Sequence, residues 1–190
     1  AAVEAANAAV IEAALNGLGK PGMGCTATCA YIENDTLAIA HVGDSRAYLL
    51  HEGTLIRVTR DHSYVEELVD AGEITADEAR VHPNRSVITR ALGSDPAMYA
   101  DHFTLHIEEG DRLILCSDGL SSMIPDSDIE NIATQSSTAQ ICVDNLVDAA
   151  LAAGGHDNVT VVVVDLVDDG VMREAQRVRR RNVTIGVVLG

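Results

Sequence analysis

Two short aliphatic runs, Leu113-Ile114-Leu115-Cys116 and Val159–Val164, constrain this chain more than any other feature. Each is apolar enough for a central strand, and each abuts a tight acidic loop, Ser117-Asp118-Gly119 after the first and His156-Asp157-Asn158 before the second. If the two strands are neighbours in one sheet, their carboxylates meet at its rim. A chain of 190 residues is long enough for one domain with a real core. With 3% aromatic residues and no Trp, that core must be aliphatic.

The remaining pattern is mixed. Residues Ala2 to Leu18 are Ala-rich, with apolar positions near helical spacing, and Gly17, Gly19 and Pro21 stop the helix. Short β-rich runs follow at Cys25 to Ile32, Leu37 to Val42, Arg46 to His51 and Leu55 to Val58, with turn signals between them, and predict an antiparallel meander. Ser63 to Ala71 and Thr75 to Arg80 read as short helices, the second with a capping box formed by Thr75 and Glu78. Strands resume at Phe103 to Ile107, Arg112 to Cys116 and Val159 to Val167, with helices near Asp126 to Ala133 and Thr138 to Ala153 between the last two. Strands grouped early and helices grouped late predict an α+β fold, two sheets covered by helices.

Charge is unevenly placed. The net −16 is the sum of −20 over residues 1–170 and +4 over residues 171–190. An acidic body repels phosphate backbones, which excludes nucleic acid as a partner. The tail places Arg173, Arg177, Arg179, Arg180 and Arg181 directly before Val183, Ile185, Val187, Val188 and Leu189. An Arg cluster followed by an apolar run is the pattern of the cytoplasmic edge of a membrane helix, although a span needs about 20 residues and only eight remain. The expected organisation is a domain over 1–168, a basic juxtamembrane linker over 169–182 and the start of a transmembrane helix over 183–190, with a basic helix and a last strand as the competing reading. Cys25, Cys29, Cys116 and Cys142 show no C-x-x-C or zinc-site spacing, and with Cys25, Cys29 and Cys116 inside apolar runs they read as buried free thiols in a reducing, cytoplasmic compartment; the tail adds a place at the inner face of the cell membrane.

Three acidic loops carry the candidate chemistry: Gly43-Asp44-Ser45-Arg46, Ser117-Asp118-Gly119 and Asp157-Asn158-Val159-Thr160. Clustered carboxylates without Cys or His partners favour a hard cation, Mg²⁺ or Mn²⁺. Taken singly, each is also an ordinary turn. Other chemistries lack a pattern. Ser45, Ser117 and Ser121 are not in a Gly-x-Ser-x-Gly elbow, and neither Gly22-Met23-Gly24 nor Gly154-Gly155 forms a phosphate loop. The seven His are scattered without an H-E-x-x-H helix and read as surface or satisfied core residues, with only His62 and His156 beside the motif positions.

In order, Gly-Asp-Ser-Arg-Ala-Tyr from Gly43, Thr59-Arg60-Asp61-His62-Ser63, Ile88-Thr89-Arg90-Ala91-Leu92-Gly93, Ser117-Asp118-Gly119-Leu120 and Asp157-Asn158-Val159-Thr160 resemble the metal-dependent serine/threonine phosphatases, the PPM or type 2C family, in its bacterial branch. The resemblance runs from about Met23 to Val167. It implies a β-sandwich of two antiparallel sheets flanked by helices, with a dinuclear Mn²⁺ or Mg²⁺ centre between the sheets. It further implies that Asp118 and Asp157 ligate one metal of the pair, that Asp44 and Asp118 hold a third, weaker one, and that about 63–92 is a flap beside the site. Asn158 is expected to orient Asp157 through a side-chain hydrogen bond. The implied partners are proteins phosphorylated on Ser or Thr, bacterial Ser/Thr kinases among them.

This chemistry is physically coherent. A phosphate monoester enters an acidic groove only if cations reverse the local sign, and a water bridging two such cations ionises near neutral pH and can attack phosphorus in line. The chain also departs from the family pattern. The upstream segment with a phosphate-binding Arg, an acidic residue and an Asp-Gly pair whose Asp bridges both metals is absent, so these 190 residues alone, read as an N-terminally truncated piece, are expected to hold metal poorly and to be inactive. A non-catalytic phosphatase-like binding or regulatory module is the alternative that this absence permits.

Overall fold

A computed structural model describes residues 2–167 and 185–189. Its elements in order are α1 (Ala2–Leu15), β1 (Ala27–Glu33), β2 (Thr36–Val42), β3 (Arg46–His51), β4 (Thr54–Arg57), α2 (Tyr64–Asp70), α3 (Ala76–Val81), β5 (Asp101–His106), β6 (Arg112–Cys116), α4 (Asp118–Ser121), α5 (Asp126–Gln135), α6 (Ala139–Ala152), β7 (Val161–Asp165) and β8 (Ile185–Leu189). They build two four-stranded sheets, ordered β5-β2-β1-β8 and β4-β3-β6-β7, and every pairing is antiparallel. The fold is therefore the α+β sandwich expected.

The aliphatic runs explain the layering. All five residues of β6 are buried. Leu113 and Leu115 point into the space between the sheets, where they meet Ala30, Leu37, Ile39, Ala47 and Leu49. Ile114 and Cys116 point the other way, onto Leu120, Ile129, Cys142 and Leu146 of the covering helices. A strand alternates faces, so a fully buried run requires cover on both. On the outer face of the other sheet, Val3 of α1 packs with Ala27, Val42, Leu92, Met98 and Ala100. Asn7 of α1 is buried and anchors the neighbouring loop, accepting from Gly93 N–H at 2.7 Å and donating to the Asp95 carbonyl at 2.9 Å.

Two expectations are corrected. The early strands do not form one meander: β1 pairs with β2 and β3 with β4, but β2 and β3 lie in different sheets. The Gly43-Asp44 turn crosses between the sheets instead of folding back as a hairpin. Gly43 has φ +108°, and a Cβ there would stand 2.3 Å from the Thr26 side chain, so only glycine fits this crossing. The second correction concerns the tail. Over Ile185–Leu189 the chain is a strand hydrogen-bonded to β1, with Ala27 opposite Leu189 and Tyr31 opposite Ile185, and not the first turns of a membrane helix. A short apolar run satisfies its backbone equally well in a sheet, and an open edge of β1 supplies the partner groups. No helix among the described residues is long and apolar enough to cross a membrane. The basic linker expected over 169–182 lies outside the described residues.

The capping box at Thr75 and Glu78 is present as read, in both directions. Because β6 has no solvent face, Leu115→Ala is expected to lower the free energy of unfolding by about 2–5 kcal/mol. Ile56→Ala, at a position 43% exposed, is expected to cost less than about 1 kcal/mol. Urea titration of both variants checks this, and equal losses would contradict the assignment of β6 to the centre.

Candidate metal centre

The centre is built where three loops reach one rim of the sandwich. β6 and β7 are neighbours, with Cys116 opposite Val161, so the loops carrying Asp118 and Asp157 emerge side by side. Ser117 stitches them together. Its N–H donates to the Thr160 carbonyl at 3.0 Å, its Oγ donates to the Asn158 carbonyl at 3.1 Å, and Thr160 N–H donates to its Oγ at 3.0 Å. Gly119 makes the approach sterically feasible, because a Cβ there would lie 2.4 Å from the Asn158 oxygen. The crossing between sheets brings in Asp44. All three aspartates line one cleft of about 440 Å³, walled on one side by the α2–α3 region through Ser63, Val65, Glu66, Asp77, Arg80 and Arg85. Arg80 Nη1 ties that wall to the site's floor by donating to the Ser121 carbonyl at 3.2 Å.

Electrostatics distinguish the three. Asp44 and Asp118 are half-buried and Asp157 is exposed. Burial, then the negative charges of Asp118 and Asp61, push the Asp44 carboxyl up to about 6. Burial and then the charge of Asp157 raise that of Asp118. Arg46 pulls Asp44 the other way only weakly, because its guanidinium is engaged elsewhere. It grips Asp61 through Nε at 3.0 Å and Nη2 at 2.8 Å, and it reaches Asp126, which also accepts from the Tyr48 hydroxyl at 2.9 Å. Arg57 also pairs with Asp61, its Nη2 standing 2.8 Å from Oδ1. The cleft thus concentrates uncompensated negative charge, and hard oxygen donors in that state suit a divalent cation. The donors fit in kind but fall short in number: among the described residues, no group of three or more His, Cys, Asp or Glu side chains is gathered closely enough to hold an ion.

Asn158 acts on Asp157, but through its backbone. Its N–H donates to Asp157 Oδ1 at 2.7 Å, where a side-chain bond was expected, because the two residues are adjacent in a tight loop that folds the amide onto the carboxylate. The reading of the sequence missed Asp61, Arg46 and Asp126 as the ion-pair frame behind Asp44. Their available signal was the shared position of Asp61 and Arg46 inside two of the recurring motifs.

Comparison with known proteins agrees with this architecture. The Protein phosphatase 2C family pattern matches residues 18–159. The chain is 40% identical over 144 residues to the serine/threonine phosphatase stp of Listeria welshimeri, covering 76% of this chain and 57% of that protein. It is 43% identical over 171 residues to the serine/threonine protein phosphatase PstP of Mycobacterium tuberculosis, covering 88% of this chain and 32% of that one. The chain therefore spans little more than half the length of the first of these relatives, and a third of the second. The crystal structure of the Mycobacterium tuberculosis PstP superposes with a TM-score of 0.80 at 40% identity, over 85% of this chain and 68% of that one. The structure of the PstP catalytic domain in complex with two manganese ions superposes with a TM-score of 0.79 at 38% identity, over 88% and 69%.

The raised Asp44 carboxyl has a consequence for stability. Folded Asp44 keeps its proton up to about pH 6, whereas the unfolded residue releases it near 3.8, so stability falls as pH rises between these values and the loss is complete above them. Without metal, Asp44→Asn is expected to remove this decline and to stabilise the chain at pH 7.5 by about 1–3 kcal/mol. Urea titrations with chelator at pH 4 and 7.5 measure it, and a difference between variant and wild type that does not change with pH would contradict it. Fold, motif order and the match over residues 18–159 together establish that the chain belongs to the protein phosphatase 2C family.

Proposed function

We propose that the protein carrying this chain is a serine/threonine protein phosphatase that removes phosphate from phosphoserine and phosphothreonine with a water activated at a dinuclear Mn²⁺ or Mg²⁺ centre. The observation that carries the reading is the convergence of Asp44, Asp118 and Asp157 on one cleft, where repulsion among carboxylates raises two of them and a divalent cation would relieve it at neutral pH. Bound there, divalent ions supply charge neutralisation for the phosphate and an ionised water at neutral pH. The chain's own part is positional. Asp118 and Asp157 hold one ion of the pair, Asp44 with Asp118 a further and weaker one, and the Ser117 bonds keep the first two at a fixed separation.

Proteins phosphorylated on Ser or Thr, kinases included, are the proposed substrates, and free cysteines support a cytoplasmic site of action. The absence of an assembled three-ligand group among the described residues supports a further proposal, that these 190 residues by themselves bind Mn²⁺ weakly and are inactive. The same observation favours the second reading, a phosphatase-like module that binds a partner without catalysis.

Mn²⁺-dependent hydrolysis of a phosphothreonine peptide by the full protein separates the two. Activity is expected, with Asp118→Asn reducing kcat/KM by about 100-fold or more. Unchanged hydrolysis in that variant would sink the ligand assignment. No hydrolysis by the wild-type protein at saturating Mn²⁺ would favour the binding module.

A further inference from the structure

Asp44 is aimed by the backbone that precedes it, and that backbone is the glycine at the crossing between the sheets. Glycine is the residue with most freedom to lose, so such a turn holds a direction only if something outside fixes it. One side chain and its own amide do so. Gly43 N–H donates to His62 Nδ1 at 3.0 Å, and His62 N–H donates to the Gly43 carbonyl at 2.7 Å. Both polar groups of Gly43 are thus held by a single residue, itself 7% exposed.

The ring is held in turn. A nitrogen that accepts from an amide carries no proton, so Nε2 carries it and donates to Asp101 Oδ2, 3.0 Å away. Asp101 opens β5 and lies opposite His41 in the neighbouring strand. Arg90 Nη1 donates to its other oxygen at 2.8 Å and also stands 3.0 Å from His62 Nε2. Arg90 is braced over the Tyr99 ring, 4.1 Å from its centroid. Burial pushes the Asp101 carboxyl up, but hydrogen bonds from His62 and Arg90 outweigh this and hold it below the ordinary aspartate value. Behind the imidazole lies His41, fully buried with its ring centroid 4.9 Å away, bonded to Thr28 Oγ1 at 2.9 Å and to the Arg60 carbonyl at 3.0 Å. Thr89 N–H donates to the His62 carbonyl at 2.8 Å, which joins the clamp to the segment walling the cleft.

Resting on the reading of Asp44 as a metal ligand, the geometry points to His62 as a positioning residue: its imidazole clamps Gly43 and thereby fixes the direction of Asp44, while Asp101, itself held by Arg90, accepts from Nε2 and locks the tautomer that makes the clamp. It touches no reacting group. Its effect passes through one backbone amide, as outer partners of metal ligands do elsewhere.

Two near-isosteric variants of the full protein divide the role from ordinary packing. His62→Asn places an amide oxygen where Nδ1 stands and keeps the acceptor for Gly43 N–H, while losing Asp101. His62→Gln reaches toward Asp101 but offers no acceptor at the Nδ1 position. Amide hydrogen exchange at Gly43 without metal, and Mn²⁺ affinity by calorimetry, are then read for each. His62→Gln is expected to speed Gly43 exchange by about tenfold or more and to weaken Mn²⁺ binding by about 10–100-fold, while His62→Asn stays within about threefold of wild type in both. Equal behaviour of the two variants, whether both intact or both impaired, overturns the clamp. Asp44→Asn serves as the control for the reading beneath it: if Mn²⁺ affinity is unchanged there, Asp44 is not a ligand and the positioning role falls, even if Gly43 exchange still responds to His62→Gln.

Discussion

Five consecutive buried residues, Arg112–Cys116, confine β6 to the middle of the molecule, and the rest of the arrangement depends on that confinement. Leu113 and Leu115 require a second sheet on one side, and Ile114 and Cys116 require helices on the other. Even its first residue is committed. Arg112 is 8% exposed and holds Asp165 of β7 through Nε, while its Nη1 donates to the carbonyls of Ala133 and Ser136 at 2.6 and 2.9 Å, tying the strand to the end of α5. With β6 fixed at both ends, Ser117 and Asp118 leave it at a defined point on the rim. The β7 pairing then delivers Asp157 to the same place, and the crossing at Gly43 delivers Asp44.

This placement works against the stability of the folded chain. Burial and repulsion raise the Asp44 and Asp118 carboxyls, which marks the rim as a site where native structure holds charge that water would solvate better. The nearby cations do not relieve it, because Arg46 and Arg57 are committed to Asp61. Strain of this kind concentrates at functional sites and is offset by the core elsewhere. The local frame is correspondingly redundant, with three Ser117 bonds, two Gly43 bonds and a double grip on Asp61 holding loops that would otherwise spread apart.

Much of this was legible in the sequence, for reasons that differ by element. The aliphatic runs at Leu113 and Val159 announced neighbouring strands, but only the first is central: β6 is buried throughout, whereas β7 is a half-buried edge strand. Asp44, Asp118 and Asp157 stood out as carboxylates at strand ends. The crossing of β2 to β3 was not legible, since Gly-Asp serves a hairpin as readily as a passage between sheets; the contact of Gly43 with Thr26 decides it, and that contact is not local in sequence. The same ambiguity governed the tail, where Val183 to Leu189 is apolar enough for a membrane helix or for an edge strand, and the pairing partner in β1 lies more than 150 residues away. His62 was set apart from the other scattered histidines only by its place in the Thr59–Ser63 motif, which does not say what it bonds to. Its tie to Gly43 runs through a backbone amide, which no side-chain pattern records.

The central claim is that the three aspartates on this rim are cation ligands. Anomalous diffraction from crystals of the full protein grown with Mn²⁺ tests it most directly. Peaks are expected within direct bonding distance, about 2.0–2.2 Å, of Asp118 and Asp157 for one ion and of Asp44 and Asp118 for another. Ordered Mn²⁺ bound elsewhere, with these three carboxylates bonded only to water or protein, would contradict it.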